Sequence, residues 1–196
     1  MKRTKEKNIC FIDFETTGHN PCLHYPIQVG AVLVTEELEI TKNFCSFIRP
    51  PSDARNTDIA YKFHQIELSR LKNAPLAEKV LNDFFELFGT NYNFASWNVS
   101  FDVSFFRKLC HDNNKMDLFD KISYRHIDIQ SICGFLRRLQ IIDPDVRSLE
   151  DCTRYFKLSR SAAHDALEDS VLALEVYKNL LKISRSAYRF DMAVIR

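Results

Sequence analysis

A very short connection between two β-rich segments is the strongest restriction on the fold of this chain. Residues 8–14, 27–34 and 40–48 are short runs of β-branched and aromatic residues bounded by turn-forming residues, which predicts three strands. Only residues 35–39 separate the second run from the third. Parallel strands need a connection of a dozen or more residues, so we expect these two strands to be antiparallel.

Beyond Pro51 the pattern changes, because strand-like runs now alternate with apolar residues at helical spacing. Residues 92–97 and 124–129 are two further predicted strands. The predicted helices cover residues 66–88 with a break at Pro75, 101–109, 131–139, 147–156 and 165–183. Three strands in a meander, followed by alternating helices and strands, predict an α/β fold with a mixed sheet covered by helices.

Composition narrows the organisation and the possible functions. A chain of 196 residues with 45% hydrophobic residues predicts one folded domain over 1–196, with its core at about 8–183 and a C-terminal tail at 184–196. The net charge of +1 means that affinity for nucleic acid depends on where basic residues lie. The four glycines lack the spacing of a P-loop or a dinucleotide-binding loop, which excludes both motifs.

The location follows from apolar runs and cysteines. No apolar run reaches the ~18 residues of a membrane span, so we expect no membrane partner. The six cysteines include no C-x-x-C pair, so we expect a cytoplasmic protein with reduced thiols.

The first chemical signal is a pair of acids at the end of the first predicted strand. Asp13 and Glu15 stand two residues apart, so their side chains share one face of the strand, while Ile12 and Phe14 point to the other. Two neighbouring carboxylates repel each other, and burial next to an apolar strand makes that repulsion costly unless a cation neutralises it. Taken alone, the pair is better explained as a strand end with two solvated acids.

Two later segments carry further acids where helices begin. Asp102 lies where a predicted strand gives way to a helix, a common place for an acid that complements the helix dipole. Asp165 followed by Glu168 resembles a capping box, which makes Asp165 the N-cap of the last helix. His164 then lies just outside that helix, and Asp169 lies in its first full turn. Each of these residues has an ordinary structural explanation by itself.

The combination is more informative than any member. Three separate elements each bring an acid to a strand end or a helix start, where side chains converge at the edge of an α/β sheet. Together they supply four carboxylates and one histidine. Such hard oxygen ligands suit Mg²⁺ or Mn²⁺, whereas zinc sites favour cysteine or several histidines.

In its acidic motifs the sequence resembles a known family. Residues 11–18, 98–106 and 164–169 match, in order and spacing, the three motifs of the DEDDh 3′-to-5′ exonucleases, which belong to the ribonuclease H-like superfamily and include the proofreading epsilon subunit of bacterial DNA polymerase III, ribonuclease T and oligoribonuclease. The resemblance runs from about Ile9 to Leu180. It implies a mixed five-stranded sheet flanked by helices and a metal-dependent 3′-to-5′ exonuclease that hydrolyses phosphodiester bonds.

The resemblance also implies roles for individual residues. Asp13, Glu15, Asp102 and Asp169 would hold two Mg²⁺ or Mn²⁺ ions, and His164 would be the general base. Two such ions can activate water and stabilise the leaving 3′ oxygen, which agrees with this assignment. Asp128, by contrast, is expected to be structural.

Substrate contacts are expected near the first motif. In similar exonucleases the positions of Phe14, Thr16, Thr17 and His64 lie near the terminal nucleotide, although Phe14 is equally explained as a core residue. His19 stands where the family often has leucine or methionine, and an imidazole can stack on a base as an apolar side chain does. This departure leaves the substrate preference open.

Several functions therefore remain possible before the structure is considered. The first is hydrolysis of single-stranded DNA from its 3′ end, with release of nucleoside monophosphate. The second is RNA trimming by an enzyme of ribonuclease T or oligoribonuclease type, and the third is a catalytically silent nucleic-acid-binding module. A DNA polymerase and a second copy of the chain are candidate partners.

Overall fold

A mixed sheet of five strands lies at the centre of the part of the chain that the structure describes. The computed structural model describes residues 7–52, 62, 64, 66–159 and 165–194, and only the backbone of residues 68 and 188–194. The strands are β1 (Asn8–Thr16), β2 (Pro26–Val34), β3 (Ile40–Phe47), β4 (Tyr92–Ser96) and β5 (Ser123–Asp128). Their order in the sheet is β3-β2-β1-β4-β5.

The pairing of the strands confirms the predicted meander and the predicted α/β class. β2 is antiparallel to both β1 and β3, as the short 35–39 connection requires. β1, β4 and β5 are parallel to one another, so their carboxyl ends meet at one edge of the sheet. In an open α/β sheet this is the edge at which ligands bind.

Helices cover both faces of the sheet. In chain order the described helices are α1 (Leu68–Lys72), α2 (Ala77–Phe88), α3 (Val99–Asp112), α4 (Met116–Phe119), α5 (Ile129–Arg138), α6 (Leu149–Tyr155) and α7 (Ala166–Val194). The four-residue α4 was not predicted, because one helical turn carries no readable periodicity. None of the described helices is long and apolar enough to cross a membrane.

The last helix is longer than expected. Residues 184–194 of the predicted tail at 184–196 continue α7 without interruption, and residues 195–196 lie outside the described residues. The reason is local, since no glycine or proline follows Asp165 and nothing else in the sequence ends the helix.

Alternate residues of β1 enter two separate cores. Cys10, Ile12 and Phe14 join the core formed with α2 and α3. Phe11 joins the other core, which α5, α6 and α7 complete, and its ring lies 5.8 Å from that of Tyr177. Asp13 and Glu15 follow Phe11 at two-residue steps, so the same alternation places them on the α7 side of the sheet.

Candidate active site

The acidic pair of β1 lies on one face of the strand, as predicted. Ile12 and Phe14 are buried on the opposite face, in contact with the α2 and α3 side. Glu15 is 5% exposed and Asp13 is half-buried. The alternative of two fully solvated acids at a strand end is therefore wrong, because both carboxylates are at least partly removed from water.

A glycine in β2 allows the start of α7 to lie against these acids. Gly30 is the register partner of Asp13 in the β1–β2 pair. A Cβ atom on Gly30 would lie 2.0 Å from the backbone nitrogen of Leu167 and 2.1 Å from the carbonyl carbon of Ala166. Only a residue without a side chain fits here, and this close approach brings the first turns of α7 directly over the strand pair.

Hydrogen bonds to the side chain of Asp165 determine how α7 begins. Its Oδ1 accepts the backbone N–H groups of Leu167 and Glu168, both at 3.1 Å, which confirms Asp165 as the N-cap. The side-chain amide of Gln28 in β2 donates to Oδ2 of Asp165 at 3.2 Å. Gln28 is the register partner of Glu15, so the cap is tied to the strand beside the acidic pair.

The structure brings three acids from two elements into one group. Asp13, Glu15 and Asp169 each offer one oxygen, and these atoms all lie within 4.8 Å of one another. At that distance two ionised carboxylates repel by about 3 kcal/mol with an effective dielectric constant of about 20. The three donors of this group are hard carboxylate oxygens, which fit a divalent cation of the Mg²⁺ class better than zinc.

Asp102 lies beside this group and is held by other donors. It is 3% exposed, and its carboxylate accepts the Ser96 hydroxyl at 2.5 Å and the backbone N–H of Phe14 at 3.1 Å. Burial raises the pKa of Asp102, those two hydrogen bonds oppose the rise, and the charge of Glu15 adds to it. Asp102 is not a member of the three-acid group, although it is close enough for its charge to interact with that of Glu15.

His64 contacts one of the acids directly. Its Nδ1 pairs with Oε2 of Glu15, and its Nε2 lies 3.1 Å from the backbone oxygen of Thr16. Burial lowers the pKa of His64, but the hydrogen bond and the charge of Glu15 raise it more, and the net pKa lies above its ordinary value. The residue expected to touch substrate therefore also contacts the acidic group.

The other residues predicted to bind substrate occupy different environments. Phe14 is 4% exposed, and its ring centroid lies 6.4 Å from that of Phe106, so its side chain is part of the core. Thr17 is fully buried, and its hydroxyl accepts the N–H of Tyr25 at 3.0 Å. The hydroxyl of Thr16, also buried, donates to the backbone oxygen of Gly18 at 2.8 Å.

His19 is the exposed member of the predicted substrate-binding set. Its ring lies 6.2 Å from that of Phe101, the residue before Asp102. An exposed ring beside a second aromatic side chain agrees with a stacking role, which stays a prediction. His164, the predicted general base, lies outside the described residues.

The structural role expected of Asp128 is confirmed. Its Oδ1 accepts the N–H of Ser131 at 2.7 Å, which caps α5, and its Oδ2 accepts the N–H of Val99 at 3.1 Å. The second bond holds the first residue of α3, the helix that carries Asp102. Asp128 thus links β5 to the start of α3.

Three residues whose role the sequence alone did not reveal, Gln28, Gly30 and Ser96, help to position the acids. Gln28 and Gly30 interrupt an otherwise apolar buried strand, a signal of close backbone approach that could have been read. Ser96 gave no comparable signal, because its role depends on how α3 returns over the end of β4.

Comparison with known proteins identifies the family to which this chain belongs. The family model of the exonucleases, RNase_T, matches residues 10–177. The chain belongs to this exonuclease family. The predicted resemblance is therefore confirmed, and with it the prediction of a hydrolase of phosphodiester bonds acting as a 3′-to-5′ exonuclease.

Among relatives of this exonuclease are subunits of a DNA polymerase. The DNA polymerase III subunit epsilon of Rickettsia typhi is 29% identical over 182 residues, which cover 91% of this chain and 76% of that protein. The subunit of the same name from Buchnera aphidicola subsp. Baizongia pistaciae is 27% identical over 199 residues, which cover 97% of this chain and 77% of that protein.

Solved structures share the exonuclease fold. E. coli Exonuclease I in complex with an oligonucleotide has a TM-score of 0.76 and 19% identity over 95% of this chain, which spans 43% of that chain. The nuclease domain of 3′hExo, a DEDDh family member, bound to rAMP, has a TM-score of 0.64 and 20% identity over 89% of this chain and 92% of that chain. The predicted ribonuclease H-like mixed sheet of five strands is thereby confirmed.

Proposed function

We propose that this exonuclease requires divalent metal ions and removes nucleotides from the 3′ end of single-stranded nucleic acid, with DNA as the preferred substrate. The observation that carries the proposal is the group of Asp13, Glu15 and Asp169, whose oxygens lie within 4.8 Å of one another. Relatives that are subunits of DNA polymerase III support DNA over RNA.

The donor atoms present fit two Mg²⁺ or Mn²⁺ ions. Asp13, Glu15 and Asp169 would hold them together with Asp102. An ionised carboxylate has about four acceptor positions, so Ser96 and Phe14 leave Asp102 with acceptor capacity for a cation. When bound, such a pair of ions supplies an activated water and neutralises charge on the phosphodiester and on the leaving 3′ oxygen.

His164 would act as the general base of this reaction. In the sequence it directly precedes Asp165, the N-cap of α7, and in similar exonucleases the histidine at this place in the third motif is the base. An imidazole side chain can accept the proton of the attacking water when it is neutral. The product is a nucleoside monophosphate.

The experiment is degradation of a 5′-labelled oligonucleotide. Purified protein with Mg²⁺ or Mn²⁺ should shorten the oligonucleotide stepwise, and EDTA should stop the reaction. Asp13→Ala should abolish cleavage because it removes a ligand from the acidic group. Asp83→Ala is the matched control, since Asp83 is an acid of α2 with a 44% exposed side chain that pairs with Lys79 and should be dispensable. Full cleavage by Asp13→Ala, after contamination has been excluded, contradicts the proposal.

Matched DNA and RNA oligonucleotides decide the substrate class. Faster degradation of DNA is the expected result, and faster degradation of RNA favours the RNA-trimming alternative.

A DNA polymerase and a second copy of the chain stay candidate partners, to be tested by co-purification and by size-exclusion chromatography. The cytoplasmic location also stays part of the proposal, supported by six free cysteine thiols.

A further inference from the structure

A groove rich in basic residues lies at the other end of the sheet from the acidic site. Two adjoining cavities, of about 870 and 650 Å³, share Lys7, Ile9 and Tyr177 in their walls. We define the basic groove by six residues that line them: Lys7, Lys121, Tyr124, Arg125, Lys182 and Arg185.

The charge of the groove is strongly one-sided. Besides the basic residues that define it, the described lining contains a further cation, Lys178, and two anions, Glu36 and Glu37. Both glutamates lie on the turn between β2 and β3, at one side of the groove. The chain as a whole carries +1, so this excess of cations is a local concentration.

Several of these cations have no acidic partner among the described residues. Lys7, Lys182 and Arg185 form no ion pair within 4.0 Å there, whereas Lys178 pairs with Glu175. Lys178, Lys182 and Arg185 follow one another at steps of four and three residues, so they lie on one face of α7. Helical spacing thus presents a row of three cations to an anionic ligand, and two of them have no ion pair within the described part of the chain.

An exposed aromatic side chain stands in the same groove. Tyr124 is 81% exposed, and the guanidinium of Arg125 lies 5.8 Å from the centroid of its ring. Open aromatic faces next to cations are the combination that binds single-stranded nucleic acid, because bases stack on the ring while cations contact phosphates.

Two independent measures place the groove far from the acids. Lys7, the residue before β1, is eight residues from Glu15, which corresponds to roughly 26 Å at about 3.3 Å per residue. Asp169 and Arg185 are 16 residues apart along α7, which corresponds to roughly 24 Å at 1.5 Å per residue. A stacked strand rising about 3.4 Å per nucleotide needs about seven nucleotides to cover this distance.

We propose that the basic groove is a second binding site for the polynucleotide substrate, which holds the strand several nucleotides from the 3′ end while that end occupies the acidic site. This inference rests on the proposed function for its geometry. It predicts that long oligonucleotides gain affinity from the groove and that a trinucleotide, too short to reach it, gains none.

The test is binding of a labelled 30-nucleotide single strand in EDTA, measured by fluorescence anisotropy at several salt concentrations. The double variant Lys182→Gln/Arg185→Gln should reduce the slope of log K against log salt by about 1.4, since each lost phosphate contact of a single strand removes about 0.7. The affinities of the variant and the wild type should converge near 1 M salt. Over the tenfold range down to 0.1 M salt, a slope difference of about 1.4 makes the variant bind roughly 25-fold more weakly. The control Lys72→Gln/Lys79→Gln removes two exposed cations of α1 and α2 outside the groove and should bind as the wild type does.

A second variant separates binding from damage to the fold. Tyr124→Ala removes an exposed ring and should weaken binding of the long strand roughly 5-fold or more through lost stacking. Cleavage of a trinucleotide should have wild-type kcat and KM in both groove variants.

The two proposals fail in different ways. If the wild type cleaves no oligonucleotide but the groove variants still bind the long strand more weakly, the proposed function is wrong. The inference that the basic groove binds the strand then still holds. The inference is overturned if the double variant and Tyr124→Ala both bind with the affinity and the salt slope of the wild type. The alternative ligand of the basic groove would then be an acidic protein surface.

Discussion

Gly30→Ala tests whether the close approach of α7 to β2 assembles the acidic site. The added Cβ would lie 2.0 Å from the nitrogen of Leu167, whereas ordinary contact begins near 3.4 Å. The atoms in the way belong to the helix backbone and cannot rotate aside, so the start of α7 must move by about 1.4 Å. Asp169 moves with the helix, away from Asp13 and Glu15.

The expected loss of activity follows from that displacement. A misplacement of about 1 Å can cost about 100-fold in rate, so kcat should fall by about that factor or more. Overpacking typically costs about 1–3 kcal/mol, which lowers Tm by about 2–12 °C in a protein of this size. The measurements are cleavage of a 5′-labelled oligonucleotide, thermal unfolding and calorimetric titration with Mn²⁺, whose binding should weaken.

Gly134→Ala is the matched control. Gly134 is inside α5, and no atom of the described residues lies within 4 Å of a Cβ placed there. Alanine there should retain activity and stabilise the protein by about 0.5–1 kcal/mol, because glycine disfavours helix interiors. If Gly30→Ala keeps wild-type activity, Tm and Mn²⁺ binding, the helix contact does not position the acids and our reasoning is refuted.

Two further predictions concern the metal ions and the base. Mg²⁺ or Mn²⁺ at 100 times its Kd should stabilise the wild type by about 2.7 kcal/mol, or about 5–11 °C in Tm, and Asp169→Asn should lose this shift in a thermal unfolding assay. A full shift in that variant would contradict a metal role for Asp169. His164→Gln should lower kcat by about 10²–10⁴. Because the base must be neutral, the wild-type rate should rise from about pH 6 to 8, and an equal rise in the variant would contradict the role of His164.

The acidic site could be predicted in outline from the sequence because much of it is local. Two-residue alternation places Asp13 and Glu15 on one face of β1, and the N-cap preference of aspartate places Asp165 at the start of α7. These patterns depend on neighbours within a few residues, which a sequence displays directly. The antiparallel pairing of β2 and β3 followed in the same way from the length of their connection.

Other features of the site depend on residues far apart in the chain. The hydrogen bonds of Asp102 join residues from β1, β4 and α3, and the contact of His64 with Glu15 spans 49 positions. The predicted substrate contact at Phe14 is a core side chain, because the face opposite the acids is covered by α2 and α3. No local pattern distinguishes such cases.

The sequence by itself determined which residues are acidic, which face of β1 they share and where α7 begins, because strand alternation and helix capping act over short chain distances. Only the tertiary structure decided that Asp169 comes within reach of Asp13 and Glu15, that Ser96 holds Asp102, and that basic residues from β5, α7 and the residue before β1 line one groove. The physical reason is that these arrangements depend on how closely whole elements pack, and that packing is governed by contacts such as the one between Gly30 and the backbone of α7.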